Sequence, residues 1–246
     1  MRFDVITLFP DMIVGACSHS ILARAIEKNI ISIRTQNPRD YTLNKHKKVD
    51  DTPYGGGAGM VLSPQPIFDA YKDIQKSNST QTVMLTPQGI PYNHNLAKEL
   101  SKKEQLILIC GHYEGFDERI RTNLCENLLE ISLGDFVLTG GELGALCIID
   151  SVSRLLPDIL GDVESKDFDS FADGLLEYPH YTKPRNFNGH RVPDVLLNGN
   201  HKEIATWRRT QQFIRTKSKR PDLYKKFLEQ NPSKEDIKIL KSLQEM

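Results

Sequence analysis

Short apolar segments alternate with segments of helical pattern along the first 156 residues, and this alternation constrains the fold more than any other feature. The apolar segments have the length and composition of buried parallel strands: Phe3–Phe9, Ile30–Thr35, Thr82–Thr86 and Gln105–Cys110, with weaker candidates at Leu128–Ser132 and Phe136–Leu138. The helical segments between and after them are Asp11–Lys28, Gln65–Lys76, Asn93–Lys103 and Glu142–Leu156. This order predicts an α/β fold with a mostly parallel sheet.

The C-terminal part of the chain has a different organisation. After Pro157 the sequence becomes acidic and loses its periodicity, as expected for a linker or mobile loop. Helical patterns resume at His201–Thr216, Pro221–Glu229 and Ser233–Gln244, and Ser233 with Asp236 resembles a capping pair. We therefore expect three parts: a domain over residues 1–160, a flexible linker over 161–178 and a small helical domain over 179–246.

The net charge of zero conceals a strong separation of charge along the chain. Residues 142–177 carry 2 basic and 9 acidic side chains, whereas residues 183–226 carry 12 basic and 3 acidic ones. A basic block of this size is typical of a surface that binds a polyanion such as nucleic acid. Trp207, Phe213 and Tyr224 lie among the arginines, where they would either stack on bases or form a small helical core.

Several classes of protein are disfavoured. No apolar run approaches the roughly 18 residues that would span a bilayer, and the N-terminal apolar stretch is too short for a signal peptide. We therefore expect a cytoplasmic protein with no membrane partner. The four cysteines are far apart and lack the spacing of zinc ligands, so they are interpreted as reduced thiols, and no metal site is predicted.

Glycine-rich segments stand at the ends of three predicted strands. They are Thr86–Gly89, Gly111–Gly115 and Gly134–Leu143, and a further one is Tyr54–Met60. Open α/β sheets bind ligands beyond the carboxyl ends of their strands, where glycines let the backbone approach the ligand. The segments lack the lysine or arginine that a triphosphate requires, so they favour a small cofactor held mainly by backbone groups. Tight structural turns are the alternative interpretation.

The glycine-rich segments belong to a longer series of motifs that runs from residue 5 to about residue 222. The series includes Val49–Met60, Thr86–Gly89, Ile109–Arg119, Ser132–Leu143, Ile149–Arg154, Asp169–Phe171, Leu175–Thr182 and Val195–His201. In this order the motifs closely resemble the bacterial tRNA (guanine-N1)-methyltransferase family of the SPOUT class. Together they are far more specific than any single glycine loop.

The resemblance implies a SPOUT trefoil-knotted α/β domain with a small C-terminal helical domain, assembled as a homodimer with its active sites at the interface. It implies transfer of the methyl group of S-adenosylmethionine to N1 of guanosine-37, just 3′ of the tRNA anticodon, which supports maintenance of the reading frame. The partner would be the anticodon stem-loop of tRNA. A Mg²⁺ requirement is a trait of the family, and the sequence shows no ligand set for it.

The resemblance also implies roles for particular residues. Asp169 would act as the general base on guanine N1, and Arg154 would stabilise negative charge on guanine O6. The cofactor would be bound by Leu85, Thr86, Pro87, Gly111, Tyr113, Glu114, Leu133, Gly134, Asp135, Phe136, Val137, Leu138, Gly140 and Gly141. The RNA-binding residues would be Asp50, as a reader of base identity, and, as phosphate contacts, Arg208, Arg209, Arg215, Lys217, Lys219 and Arg220.

The sequence departs from the family pattern at three positions near the predicted cofactor site. Met84 stands where an aromatic residue is common, His112 where arginine is common, and Gly144 where proline is common. We expect these departures to tune the adenine pocket. Two alternatives stay open at this point: a SPOUT methyltransferase with another RNA target, and an RNA-binding module that has lost catalysis.

Overall fold

A five-stranded parallel sheet is the centre of the computed structural model, which describes residues 1–159, 169–230 and 232–244. Its strands lie in the order β2-β1-β6-β5-β7 and every neighbouring pair is parallel. They are β1 (Arg2–Ile6), β2 (Ser32–Gln36), β5 (Thr80–Pro91), β6 (Gln105–Cys110) and β7 (Leu128–Ser132). A short antiparallel pair, β3 (Asp50–Asp51) and β4 (Val61–Leu62), lies outside this sheet. The predicted α/β class with a mostly parallel sheet is confirmed.

The sheet forms because its central strands are apolar on both faces. All six residues of β6 are buried, and the last five alternate between two apolar clusters. Leu106 and Leu108 face one cluster, while Ile107 and Ile109 face the other. Burial of both faces is the usual condition of a parallel strand.

Helices cover the two faces of the sheet. They are α1 (Pro10–Cys17), α2 (Ser20–Glu27), α3 (Pro64–Asp73), α4 (His94–Leu100), α5 (Glu118–Asn123) and α6 (Glu142–Leu155). Helices α1, α2, α4 and α6 contribute to the cluster of Leu106 and Leu108. Helices α3 and α5 contribute to the cluster of Ile107 and Ile109. Both faces of the sheet are therefore covered by helices. A ligand site is then expected beyond the ends of the strands.

The structure corrects three local predictions. The predicted helix Asp11–Lys28 is two helices, because the chain turns at Ser18 and Ser20 has a φ of 55°. Segment Phe136–Leu138 is an exposed loop and not a strand, since it pairs with no other segment. Strand β5 does not end at Thr86 but continues to Pro91 with a break in its register.

The contacts divide the chain into two units, Met1–Gly161 and Asp162–Met246, which are described separately. The second unit contains a hairpin of β8 (Asn186–Phe187) and β9 (His190–Arg191), followed by α7 (His201–Lys219), α8 (Pro221–Glu229) and α9 (Lys234–Gln244). Leu175, Phe213 and Phe227 form its core. The predicted linker 161–178 lies partly outside the described residues, so its extent stays a prediction.

Two further predictions concern single features of the chain. Ser233 and Asp236 exchange the hydrogen bonds of a capping box at the start of α9. The four cysteines are free thiols, with Cys17 and Cys110 buried. In the described part of the chain, no helix is both long and apolar enough to cross a membrane.

Candidate functional site

A cavity of about 320 Å³ lies at the carboxyl ends of β5, β6 and β7 in the first unit, and its size is typical of small-molecule pockets. Its walls combine backbone from glycine-rich loops with apolar side chains. The lining residues are Leu85, Thr86, Pro87, Gln88, Gly111, His112, Tyr113, Glu114, Gly115, Phe116, Arg121, Ile131, Ser132, Leu133, Phe136, Val137, Leu138, Thr139, Gly140, Gly141 and Gly144.

The floor of the cavity depends on a close approach between the loop after β6 and the loop before α6. The Gly141 amide donates to the Gly111 carbonyl at 2.9 Å, and His112 pairs with Gly140 in an isolated bridge. A Cβ atom at Gly141 would lie 2.7 Å from the Cα atom of Cys110, a separation that real structures do not tolerate. Glycine at position 141 is therefore required for the two backbones to meet.

A break in the hydrogen-bonded pairing of β5 with β7 forms another side of the cavity. Leu85 and Ile90 both align with Ile131, so the four residues between them leave the ladder and project from the sheet. A Cβ atom at Gly89 would lie 2.4 Å from the Ile131 amide nitrogen. Glycine there lets the projecting segment return against β7, which leaves Thr86 and Pro87 at the cavity.

The glycine-rich segment 55–59 adjoins the cavity through Glu114. The Glu114 amide donates to the Met60 carbonyl at 2.9 Å, and the Leu62 amide donates to the Gly115 carbonyl at 2.9 Å. Gly59 has a φ of +80°, and a Cβ atom at that position would lie 2.3 Å from Glu114 Oε1. The segment therefore limits where the Glu114 carboxylate can lie.

Two charged networks border the cavity. Arg121 donates to Glu130 and, at 3.2 Å, to Thr86 Oγ1, which places a guanidinium in the wall. In the second network the buried Glu142 carboxylate accepts from the Thr7 hydroxyl at 2.7 Å and lies 4.0 Å from Nε2 of His112, which lines the cavity. These contacts fix polar groups from separate elements around one apolar pocket.

Cys110, at the end of β6, does not offer a nucleophile to this cavity. Burial, with a further contribution from Glu142, raises the pKa of the Cys110 thiol well above its usual value. The thiolate is the reactive form of cysteine, so burial and the raised pKa both disfavour reaction at Cys110. The chemistry of the site rests on other groups.

The predicted cofactor residues converge on this cavity, although their role in binding stays a prediction. All of them line it except Gly134 and Asp135, which lie in the same loop between Leu133 and Phe136. Sequence reasoning did not include Arg121, because α5 was not predicted. It also did not include Ile131 and Ser132, whose apolar strand pattern carries no sign of a ligand.

The predicted catalytic residues belong to different units. Arg154 lies half-buried in the last turn of α6 in the first unit. Asp169 is half-buried in the second unit, directly after the undescribed residues 160–168. Asp50 begins β3 and is paired opposite Leu62, in the first unit. Asp169 is therefore described in the second unit, and Arg154 and Asp50 are described in the first.

The predicted phosphate contacts lie on α7 and at the start of α8, with different surroundings. Lys217 and Lys219 are exposed, and Arg208 lies 4.8 Å above the Tyr178 ring. Arg215 donates to the Glu177 carbonyl at 3.3 Å. Arg220 makes two hydrogen bonds to Asp222, and these lower the pKa of that carboxyl to about 2. Arg209 is turned inward and is held by two carboxylates.

Metal ligands are not grouped in the described part of the chain. Among residues 1–159, 169–230 and 232–244, no three His, Cys, Asp or Glu side chains are placed to hold a metal ion. We therefore derive no chemistry from a bound cation.

Nearly the whole chain is similar in sequence to one family of enzymes. The family model described as tRNA (Guanine-1)-methyltransferase TrmD matches residues 1–226. The chain is 54% identical over 227 residues to the tRNA (guanine-N(1)-)-methyltransferase of Staphylococcus haemolyticus, covering 92% of each protein. It is 52% identical over 241 residues to the protein of the same name from Staphylococcus aureus, covering 98% of each.

Substitution of Gly141 by alanine tests whether the cavity is the cofactor site. We expect Gly141→Ala to weaken the binding of S-adenosylmethionine at least tenfold, because the added methyl group separates the two loops that form the floor. The measurement is isothermal titration with the folded variant. Gly15→Ala is the matched control, since its added methyl group has no neighbour within 4 Å. Equal affinity of wild type and Gly141→Ala would place the cofactor elsewhere.

Proposed function

The chain belongs to the tRNA (guanine-1)-methyltransferase family, and from this membership we propose that the cavity at the ends of β5, β6 and β7 binds S-adenosylmethionine for methylation of N1 of guanosine-37 in tRNA. The single observation that carries the assignment of the cavity is the convergence there of the predicted cofactor loops. The trefoil knot and the use of S-adenosylmethionine are traits of the family.

The residues around the cavity fit this cofactor. At Gly89, Gly111 and Gly141 a Cβ atom would collide with neighbouring protein atoms, so these glycines let the loops pack closely enough to bring their backbone to the cavity, where it can contact the adenosine portion. Leu133, Phe136 and Leu138 provide apolar surface. Glu114 would pair with a cationic group of the ligand. When bound, S-adenosylmethionine supplies a methyl group that is already activated by its sulfonium charge.

The protein would then contribute alignment and the proton and charge chemistry of the guanine. Guanine N1 carries a weakly acidic proton, which Asp169 removes as general base, so that the N1 electron pair becomes nucleophilic. Negative charge grows on guanine O6 as this proton leaves, and the Arg154 guanidinium stabilises it. Correct placement of N1 supplies a large part of the rate enhancement.

A second copy of the chain would complete the site. Phe9, Met12 and Val14 on or before α1 are exposed, as are Val137 and Leu143 near the cavity. Exposed apolar patches of this kind mark protein interfaces. We expect sedimentation velocity at micromolar concentration to give a dimer of the 28.0 kDa chain. A single 28 kDa species would contradict the homodimer.

The second unit would bind the anticodon stem-loop of tRNA. The proposed phosphate contacts lie on α7 or directly after it: Arg208, Arg215, Lys217, Lys219 and Arg220. Such contacts position RNA without reading its sequence, so Asp50 in the first unit is the proposed reader of base identity. The tRNA substrate would place the reaction in the cytoplasm.

The reaction is tested by transfer of labelled methyl from S-adenosylmethionine to two tRNA transcripts that differ only at position 37. We expect label on the guanosine-37 transcript and none on the adenosine-37 transcript, because only guanine carries the N1 proton and O6 that the site acts on. Label on both would discard the target site. Label on neither, with cofactor bound, would favour an RNA-binding module without catalysis.

The phosphate contacts are tested by the salt dependence of tRNA binding. We expect Lys217→Ala with Lys219→Ala to weaken binding most at low salt and to reduce the slope of log K against log salt by roughly 0.7–0.9 per lost contact. Filter binding across a salt series measures both quantities. Lys238→Ala with Lys241→Ala removes equal charge from exposed positions of α9 and serves as control. Identical slopes for wild type and the α7 variant would remove the assignment.

A further inference from the structure

Arg209 is held inside the second unit by an unusual number of partners. Its Nε donates to Asp236 Oδ1 at 2.7 Å, and its Nη1 donates to Asp173 Oδ2 and, at 3.0 Å, to Gln212 Oε1. Its guanidinium also lies 5.0 Å from the centre of the Phe213 ring. One positive charge faces two carboxylates, so Arg209 presents no net positive charge to a phosphate.

Asp236 is the partner that anchors Arg209 to the helical core. It is 7% exposed, and it accepts hydrogen bonds from both the amide and the hydroxyl of Ser233 at the start of α9. Burial alone would raise the pKa of Asp236, but the hydrogen bonds from Arg209 and Ser233 hold it below its usual value. The Arg209–Asp236 pair therefore joins α7 to α9.

Asp173 is the partner that belongs to the segment carrying Asp169. While Asp173 Oδ2 accepts from Arg209, its Oδ1 accepts from the Leu175 amide at 3.2 Å. The Asp169 carbonyl in turn accepts from the Ala172 amide at 3.2 Å. The carboxylate of Asp173 thus connects the turn that follows Asp169 to α7.

The other end of this segment is attached to the same helix. Leu175 is fully buried in the core of the second unit, and the Leu176 amide donates to Thr216 Oγ1 of α7 at 2.9 Å. The Glu177 amide donates to Ser170 Oγ at 3.1 Å, which closes the segment on itself. Residues 169–177 therefore form a compact turn whose placement on α7 depends on Arg209 at one side and on Leu175 and Thr216 at the other.

We propose that the Arg209–Asp173 pair is a latch that positions Asp169, so that Arg209 is a positioning residue and not a phosphate contact. The inference rests on the proposed role of Asp169 as general base. A base must be held in productive geometry, and a displacement of about 1 Å can cost on the order of 100-fold in rate. Lysine cannot replace arginine here, because an ammonium lacks the planar fork that serves two carboxylates at once.

Asp173→Asn separates the latch from RNA electrostatics. It removes a negative charge from a basic unit, so electrostatics alone predicts equal or tighter tRNA binding. The latch predicts that single-turnover methyl transfer at saturating tRNA and S-adenosylmethionine falls at least tenfold, while the dissociation constant of tRNA stays within about twofold. A wild-type saturating rate for the folded Asp173→Asn variant would overturn the proposal.

Two controls and a double variant define the effect further. Glu229→Gln removes an exposed carboxylate of the same unit and is expected to leave rate and affinity unchanged. Arg208→Ala, which removes a proposed phosphate contact, is expected to raise the dissociation constant of tRNA. Arg209→Lys is expected to lower the rate, and its combination with Asp173→Asn to cost less than the product of the two effects. An Arg209→Lys effect confined to tRNA affinity would overturn the latch.

Asp169→Asn distinguishes failure of the latch from failure of the proposed mechanism. Full activity of Asp169→Asn would overturn the general-base role on which the latch depends. A slow Asp169→Asn together with a fast Asp173→Asn would overturn the latch alone. Thermal melting by circular dichroism establishes that each variant is folded. Should Arg209→Lys unfold, the Asp173→Asn variant still tests the latch, because the Asp173 side chain is 39% exposed and its replacement disturbs the core less.

Discussion

The central position of β6 is the constraint on which the rest of the first unit depends. β6 follows β5 in the chain but lies between β1 and β5 in the sheet. Its end at Cys110 is therefore adjacent to Leu85, the partner with which it aligns, and Leu85 is adjacent to Ile131 of β7. Three loops must then share one edge of the sheet, and only glycines at Gly89 and Gly141 let them come as close as they do. The cavity is a consequence of this crowding.

How much of this could be predicted from the sequence depends on the range of the interactions involved. Strands β6 and β7 and helix α8 have the predicted bounds, because local signals mark element boundaries: Gly111 follows β6, and Pro221 is the first residue of α8. The interruption of β5 is different, since it depends on the contact of Gly89 with Ile131, which is remote in sequence. The division of the helix predicted over Asp11–Lys28 has no signal in the apolar pattern either, since the apolar period continues through Ser18 although the backbone turns there.

The candidate site shows the same division. The glycine-rich loops were visible in the sequence, and they do meet at one cavity. The charged groups between them were not visible as a set, because Arg121, Glu130 and Thr86 are brought together by three separate elements. In the sequence His112 stands out as a departure from the family pattern. In the structure the His112 imidazole lies beside the buried Glu142 carboxylate, which accepts a hydrogen bond from Thr7.

The basic block of the second unit illustrates why counting charges along a chain overstates the charge available to a ligand. Arg220 is paired with Asp222, and Arg209 is enclosed by Asp173, Asp236 and two aromatic rings. An arginine whose charge is already compensated by carboxylates would have to lose those hydrogen bonds before it could bind a phosphate. Lys217 and Lys219 are exposed, so a phosphate can reach them without first displacing a carboxylate of the kind that holds Arg209. On α7 the exposed Lys217 and Lys219 therefore remain accessible to a ligand, whereas the charge of Arg209 is compensated within the unit.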